Sequence, residues 1–153
     1  MTKEDKKNAY LYCKFRDEQF SLYNEYAKRN GMMMKTLLVV NVLYYAENGL
    51  TQRNICDKTF QTKQTVHLII KHLLEEDQVT VTEDTADKRV KIVCMTDKGR
   101  AHYEKVVRHI TWAEDNAMAM FSPKEQKMLI DLSRRFTKNL IALVNVNQET
   151  EEM

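Results

Sequence analysis

The chain has 153 residues, 43% of them hydrophobic, which fits a single domain with a sizeable core. Its 24 basic and 22 acidic residues leave a net charge of +2, too near balance to argue for a polyanionic partner, so any such surface must come from local segregation of charge. No stretch approaches the roughly 20 apolar residues of a membrane span, and the N-terminus MTKEDKKNAY lacks the apolar core of a signal peptide. Cys13, Cys56 and Cys94 are odd in number and form no CxxC pair, which argues against a disulfide scaffold or a zinc knuckle. The expectation is a cytoplasmic protein with reduced thiols and no membrane segment.

Only 3 glycines and 1 proline occur, so long helices are predicted. The first runs from about Tyr10 to Arg29 on a stripe of Leu11, Phe15, Leu22 and Tyr26, and stops at Asn30-Gly31, where glycine can take the left-handed conformation. A second, apolar almost all round and therefore central, spans roughly Met33 to Glu47. Thr51 caps a short third helix that turns Ile55 and Cys56 inward. A fourth begins at about Thr62 and carries Val66, Ile69, Ile70, Leu73 and Leu74 on one stripe. Two short helices separated by a tight turn suggest a helix-turn-helix.

VTVTE (79–83) alternates, turns at 84–88, and returns as the β-branched run RVKIVCM (89–95), which predicts a hairpin. A two-stranded hairpin is marginal alone and must lean on the preceding helices, as a wing. Thr96 caps a long fifth helix through about Met120, and Ser122, Pro123 and Glu125 form a capping box for a sixth that displays Met128, Leu129, Leu132, Phe136, Leu140, Ile141, Leu143 and Val144. The acidic ending, 148–153, is expected to be a disordered tail.

The stretch TKQTVHLIIKHLLEEDQV (62–79), followed by DTADKRVKIVCMTDKGR (84–100), resembles the recognition helix, wing and fifth-helix entry of the MarR family. The most specific pieces are Asp87-Lys88-Arg89 at the wing and Thr96-Asp97-Lys98-Gly99-Arg100 after the strand. The resemblance implies a mainly α fold with a small β-hairpin: a winged helix-turn-helix over about 33–100, with N- and C-terminal dimerisation helices over about 8–30 and 101–147. It also implies a homodimer with two DNA-binding lobes reading a pseudo-palindromic operator in double-stranded DNA. The apolar stripes of the first, fifth and sixth helices separately call for a partner surface.

On the fourth helix the face opposite the apolar stripe carries Gln64, His67, Leu68 and Lys71, flanked by Thr62, Lys63 and Thr65, and no acid occurs from Thr62 to Leu74. Gln64 can pair with adenine, Lys63 and Lys71 with guanine or phosphate, and Thr65 or Leu68 can meet a thymine methyl. At the wing, Arg89 is expected in the minor groove and Lys88 on phosphate, with Asp87 orienting Arg89 by an ion pair. A charged hairpin tip also discourages edge pairing. Thr51 and Arg53, at the start of the third helix, are further phosphate candidates.

For control of DNA binding, Tyr10, Tyr23, Met33 and Trp112 are candidates for an apolar effector pocket, against the alternative that they serve core and dimer packing. Cys13 lies where the hydroperoxide-sensing branch of the family carries its reactive thiol, but Ala27 and Leu38 stand where that branch has tyrosines. No metal site is expected: His67 and His72 are five residues apart and His102 and His109 seven, so neither pair has the 3 or 4 residue spacing that sets two imidazoles side by side on a helical face. The absence of a Gly-rich phosphate loop, GxSxG or HExxH, and of any acid-base pair, argues against an enzyme, and no cofactor is expected. Three readings stay open: a DNA-binding repressor released by a small ligand or oxidant, a peroxide sensor using Cys13, and a winged-helix module that binds another protein.

Overall fold

The computed structural model describes residues 1–151, with side chains through residue 146. In chain order the elements are α1 (Lys3–Arg29), α2 (Met34–Tyr44), α3 (Gln52–Thr59), α4 (Lys63–Glu75), β1 (Val79–Glu83), β2 (Lys91–Met95), α5 (Asp97–Ala119) and α6 (Pro123–Glu151). The chain forms two compact units, Met1–His109 and Ile110 onward. This is a mainly helical winged helix-turn-helix, as the order of elements predicts. Two boundaries differ from the expectation. The first helix starts at Lys3, not near residue 8 or 10, because Thr2 and Asp5 form a reciprocal capping box that an apolar stripe cannot reveal. The second ends at Tyr44, where the chain turns on Ala46 N–H to the Leu43 carbonyl (3.2 Å). Of the disordered tail expected over 148–153, residues 148–151 continue α6 and 152–153 lie outside the described residues.

In the first unit the core is built from Val39, Val40 and Leu43 of α2, Ile55 of α3, Val66, Ile69, Ile70 and Leu73 of α4, Val79 and Val93 of the hairpin, and Tyr103 and Val107 of α5. Each such aliphatic side chain contributes about 1.5–3 kcal/mol on burial. Leu74 is an exception among the stripe residues of α4: it sits on the flank and is 39% exposed. α1 joins through a second cluster of Ala27, Leu37 and Val106, beside which the Tyr26 hydroxyl donates to the Val106 carbonyl at 2.8 Å.

The hairpin pairs Val79 with Met95 through Glu83 with Lys91, antiparallel. It is tied to the helices by Leu50, which exchanges backbone hydrogen bonds with Val93 (2.9 and 2.8 Å). Gly49, at φ +71°, makes that approach possible: a Cβ there would collide with Cys94 Sγ and the Val93 carbonyl.

Four residues of the α5 entry fasten the remaining parts of the first unit. α4 ends in a Schellman motif with Asp77 at φ +56°, where Gln78 N–H bonds to the Leu73 carbonyl (2.8 Å) and Asp77 N–H to that of Leu74 (3.0 Å). The Thr96 hydroxyl accepts from Gly99 N–H (3.0 Å) as the cap of α5 and donates to the Asp77 carbonyl (2.7 Å), while Lys98 Nζ donates to that of Glu76 (2.8 Å). Arg100 reaches the end of α2, donating to the Tyr44 carbonyl at 2.8 Å with its guanidinium 5.0 Å above the Tyr44 ring. Gly99 lies so close to the Gln78 backbone that a Cβ would overlap it. Inside this junction Tyr103 donates to Gln78 Oε1 (2.7 Å); burial first, and the Glu76 carboxylate second, raise the Tyr103 pKa and keep the phenol a donor.

In the second unit the expected capping box is present: Glu125 N–H donates to Ser122 Oγ (3.3 Å), and Ser122 N–H to Glu125 Oε2 (2.8 Å). The Ser122 hydroxyl, which donates to Glu125 Oε2 at 2.8 Å, and after it the Ser122 amide hold the Glu125 carboxyl below its usual pKa. Gln126 Nε2 closes the α5–α6 turn on the carbonyls of Met118 and Phe121.

Gly99→Ala is expected to cost about 1–3 kcal/mol as an overpacking change against backbone, read as a lower midpoint of urea unfolding; an unchanged midpoint would contradict the close contact with Gln78.

Candidate nucleic-acid interface

α4 opens with Thr62 in extended backbone (φ −68°, ψ 152°), its hydroxyl accepting from Thr65 N–H at 3.2 Å and donating to Thr65 Oγ1 at 2.9 Å. Thr62 and Thr65 therefore spend their hydroxyls largely on the helix start. With Val66, Ile69, Ile70 and Leu73 buried, the 100° step per residue leaves Gln64, His67, Leu68 and Lys71 as the outward row, all exposed. Thr65 is half-buried on one flank and Lys63 is exposed on the other. Gln61, just before the helix, is tied by its side-chain amide to the Lys35 carbonyl of α2 (3.1 Å), which fixes the turn. The first-turn amides of α4 add a partial positive charge at the same end.

At the hairpin tip, Asp84 Oδ1 accepts from Ala86 N–H (2.6 Å) and Asp87 N–H (3.3 Å), folding the loop back on itself. Asp87 Oδ1 in turn accepts from the backbone N–H of Arg89 (3.0 Å) and from its Nε (3.3 Å). The Arg89 side chain remains 92% exposed, so the pair aims a guanidinium without burying it. Lys91, next along, is paired with Glu83 across the strands at 2.7 Å. Lys88 is exposed beside Arg89.

At the start of α3, Thr51 Oγ1 accepts from Asn54 N–H (3.0 Å) and donates to Asn54 Oδ1 (2.8 Å), a capping role, while Arg53 is exposed. Cys13 is half-buried in α1, and the two cations near it both turn to Asp17: Arg16 at 2.8 Å and Lys14 at 3.7 Å. Arg16 foremost holds the Asp17 carboxyl below its usual pKa. Among the described residues no group of three or more His, Cys, Asp or Glu is arranged to hold a metal, and no helix is long and apolar enough to cross a membrane.

A groove of about 590 Å³ runs between α1, the start of α2 and α4. Phe20, the Met32-Met33-Met34 run, Leu68 and Ile69 make it apolar, and Lys28 and Lys35 lie on its wall. It takes in Met33 but not Tyr10, Tyr23 or Trp112; sequence reasoning missed Phe20, because an exposed face of α1 carries no mark of what it faces.

The architecture is that of winged helix-turn-helix proteins. A model of the MarR family matches residues 31–90, the segment from the start of α2 through the wing tip. In fold the chain is similar to AbsC, a MarR family transcriptional regulator from Streptomyces coelicolor (TM-score 0.75, 14% identity, over 93% of this chain and 97% of that one). It is similar also to MepR of Staphylococcus aureus in its DNA-binding conformation (0.71, 20%, 89% and 98%), and to CouR of Rhodococcus jostii RHA1 bound to p-coumaroyl-CoA (0.66, 15%, 86% and 90%). No match was found among curated protein sequences. The helix-turn-helix and the first part of the wing thus match the MarR family model, and the solved structures, at 14–20% identity, share the winged-helix fold.

Thr62→Ala is expected to lower the unfolding free energy by about 1 kcal/mol through loss of the cap, whereas Lys63→Ala leaves it within about 0.5 kcal/mol as a surface change. Urea unfolding followed by circular dichroism separates the two, and equal effects would contradict the division of roles at the helix start.

Proposed function

We propose that this protein is a sequence-specific, double-stranded-DNA-binding repressor that acts as a homodimer and is released by a small ligand. α4 enters the major groove with Gln64, His67, Leu68 and Lys71 toward the base edges and Lys63 toward phosphate, while Arg89 enters the adjacent minor groove with Lys88 on the backbone. Thr62, Thr65, Thr51 and Arg53 lie at helix starts where phosphates would approach. The observation that carries the reading is an exposed outward row on α4, free of acids from Thr62 to Leu74, joined to a wing whose tip arginine is held outward by Asp87. The reading assigns no catalytic activity.

The partner for dimerisation is a second copy. Tyr10, Leu11, Phe15, Phe20 and Leu22 are exposed on α1, and in the second unit Leu129, Leu132, Leu140, Ile141, Leu143 and Val144 are exposed on α6. Apolar surface on this scale calls for burial against another subunit.

Release by a ligand is favoured over release by oxidation of Cys13. The apolar groove is built partly from Thr65, Leu68 and Ile69 of α4 itself, so an occupant bears on the DNA-reading helix. Around Cys13, by contrast, Lys14 and Arg16 are engaged by Asp17. The two lysines on an apolar wall suit an amphipathic anion.

The protein is expected to sediment at twice the chain mass and to enrich a pseudo-palindromic duplex from sheared DNA. Arg89→Ala should weaken binding of that duplex by about tenfold, the scale of a single good groove contact. Lys63→Ala should flatten the log–log salt dependence by about one unit, as loss of one phosphate contact requires. Unchanged affinity of both variants across a salt series would sink the assignment.

Anilinonaphthalenesulfonate, an amphipathic anion whose emission rises in apolar sites, is expected to bind the groove and to displace DNA. Met33→Trp, which fills the groove, should reduce both effects; displacement by the probe with undiminished strength in that variant would place the effector elsewhere.

A further inference from the structure

The α3–α4 turn presents a residue for which the fold has no use. Phe60, the C-cap of α3, stands at φ +53° and ψ +36°, a left-handed conformation that disfavours any residue with a Cβ, yet its ring is 95% exposed. Either property alone is an ordinary compromise. Together they mean that glycine would serve the backbone better and a polar residue would serve the surface better.

The turn is also held in place. On one side Thr59 Oγ1 donates to the Ile55 carbonyl at 2.7 Å, and on the other Gln61 is tied to Lys35 at 3.1 Å. The ring is therefore presented from a fixed support. Phe60 precedes the Thr62 cap by two residues and Lys63 by three, a stretch of chain that spans at most about 11 Å. It thus lies at the end of α4 where the open amides, Lys63 and Gln64 are gathered. The Thr62 and Thr65 hydroxyls at that end are engaged with each other.

We propose that Phe60 is a DNA-contacting residue of this interface, packing its ring on a deoxyribose or a thymine methyl beside the recognition helix. The chemistry matches what the turn would meet: the edge of a major groove offers C–H surface on sugars and methyl groups as well as phosphate oxygens. Such a contact removes the ring from water without competing for the phosphates, so it adds affinity without adding to the salt dependence. The inference rests on the DNA-binding reading above.

The test uses the full-length protein, the duplex enriched from sheared DNA, and the variants Phe60→Gly, Phe60→Tyr and Lys63→Ala. Phe60→Gly is expected to unfold at the same or a higher urea concentration, to sediment as the wild type does, and to bind the duplex about tenfold more weakly, equivalent to about 1.4 kcal/mol. Its salt slope should equal that of the wild type, and Phe60→Tyr should bind within about threefold of it, since both rings offer the same apolar faces. Phe60→Gly binding within twofold of the wild type would overturn the proposal while leaving the DNA-binding reading intact, provided that Lys63→Ala still flattens the slope. A drop in stability or loss of the dimer in Phe60→Gly, with Phe60→Tyr behaving as the wild type, would show the ring to be structural and likewise overturn it. If the wild type enriches no duplex at all, the reading beneath it fails, and the proposal with it.

Discussion

The first unit of this protein depends on how the short segment Thr96 to Arg100 grips the ends of α4 and α2 at once. Thr96 and Lys98 bond to the Asp77 and Glu76 carbonyls in the turn that ends α4, Gly99 lets α5 lie against the Gln78 backbone, and Arg100 caps α2. Helix ends are the places where backbone groups lack partners, so a segment that satisfies two of them also fixes the directions of both helices. The recognition helix and the wing are thereby set in one frame. In the proposed function that rigidity matters, because α4 and the wing would meet two grooves without rearranging, and each residue left to be ordered on binding would subtract from affinity.

The same economy operates at the wing. Asp87 carries a charge that a phosphate backbone repels, yet it accepts both the backbone amide and the Nε of Arg89. An exposed ion pair of this kind contributes little to stability, roughly 0–1 kcal/mol. Its value lies in direction: the guanidinium is aimed before any partner arrives. Glu83 performs the corresponding service for Lys91 one pair further along the hairpin.

Much of the fold was legible in the sequence, for identifiable reasons. Val66, Ile69, Ile70 and Leu73 repeat at helical spacing, Thr51, Thr62, Thr96 and Ser122 announce helix starts, and β-branched residues mark the strands. The outward row of α4 followed directly from that stripe. The left-handed positions at Phe60 and Asp77 stayed hidden, since glycine is the sign that marks such turns and none occurs between Gly49 and Gly99. The start of α1 was misplaced because its first turns are polar and only the Thr2–Asp5 cap betrays them. The roles of Lys98 and Arg100 were likewise invisible, because their partners are carbonyls 22 and 56 residues away. The groove was half legible: Met33 stands among the pocket candidates, but Phe20 is brought to it only by folding.

That groove is lined by Thr65, Leu68 and Ile69 of α4, and Leu68 belongs to the same outward row as Gln64 and Lys71. In the proposed function, a molecule lodged there and a duplex would meet adjoining surfaces of one helix, with no chain of intermediaries between them. Thermodynamic linkage then binds the two equilibria symmetrically: whatever factor an occupant takes from DNA affinity, DNA takes from the occupant's. A strong operator would raise the concentration of occupant needed to clear it, and a weak one would lower it. One protein could in this way set different thresholds at different sites on a chromosome, with the sequence of each site acting as the dial.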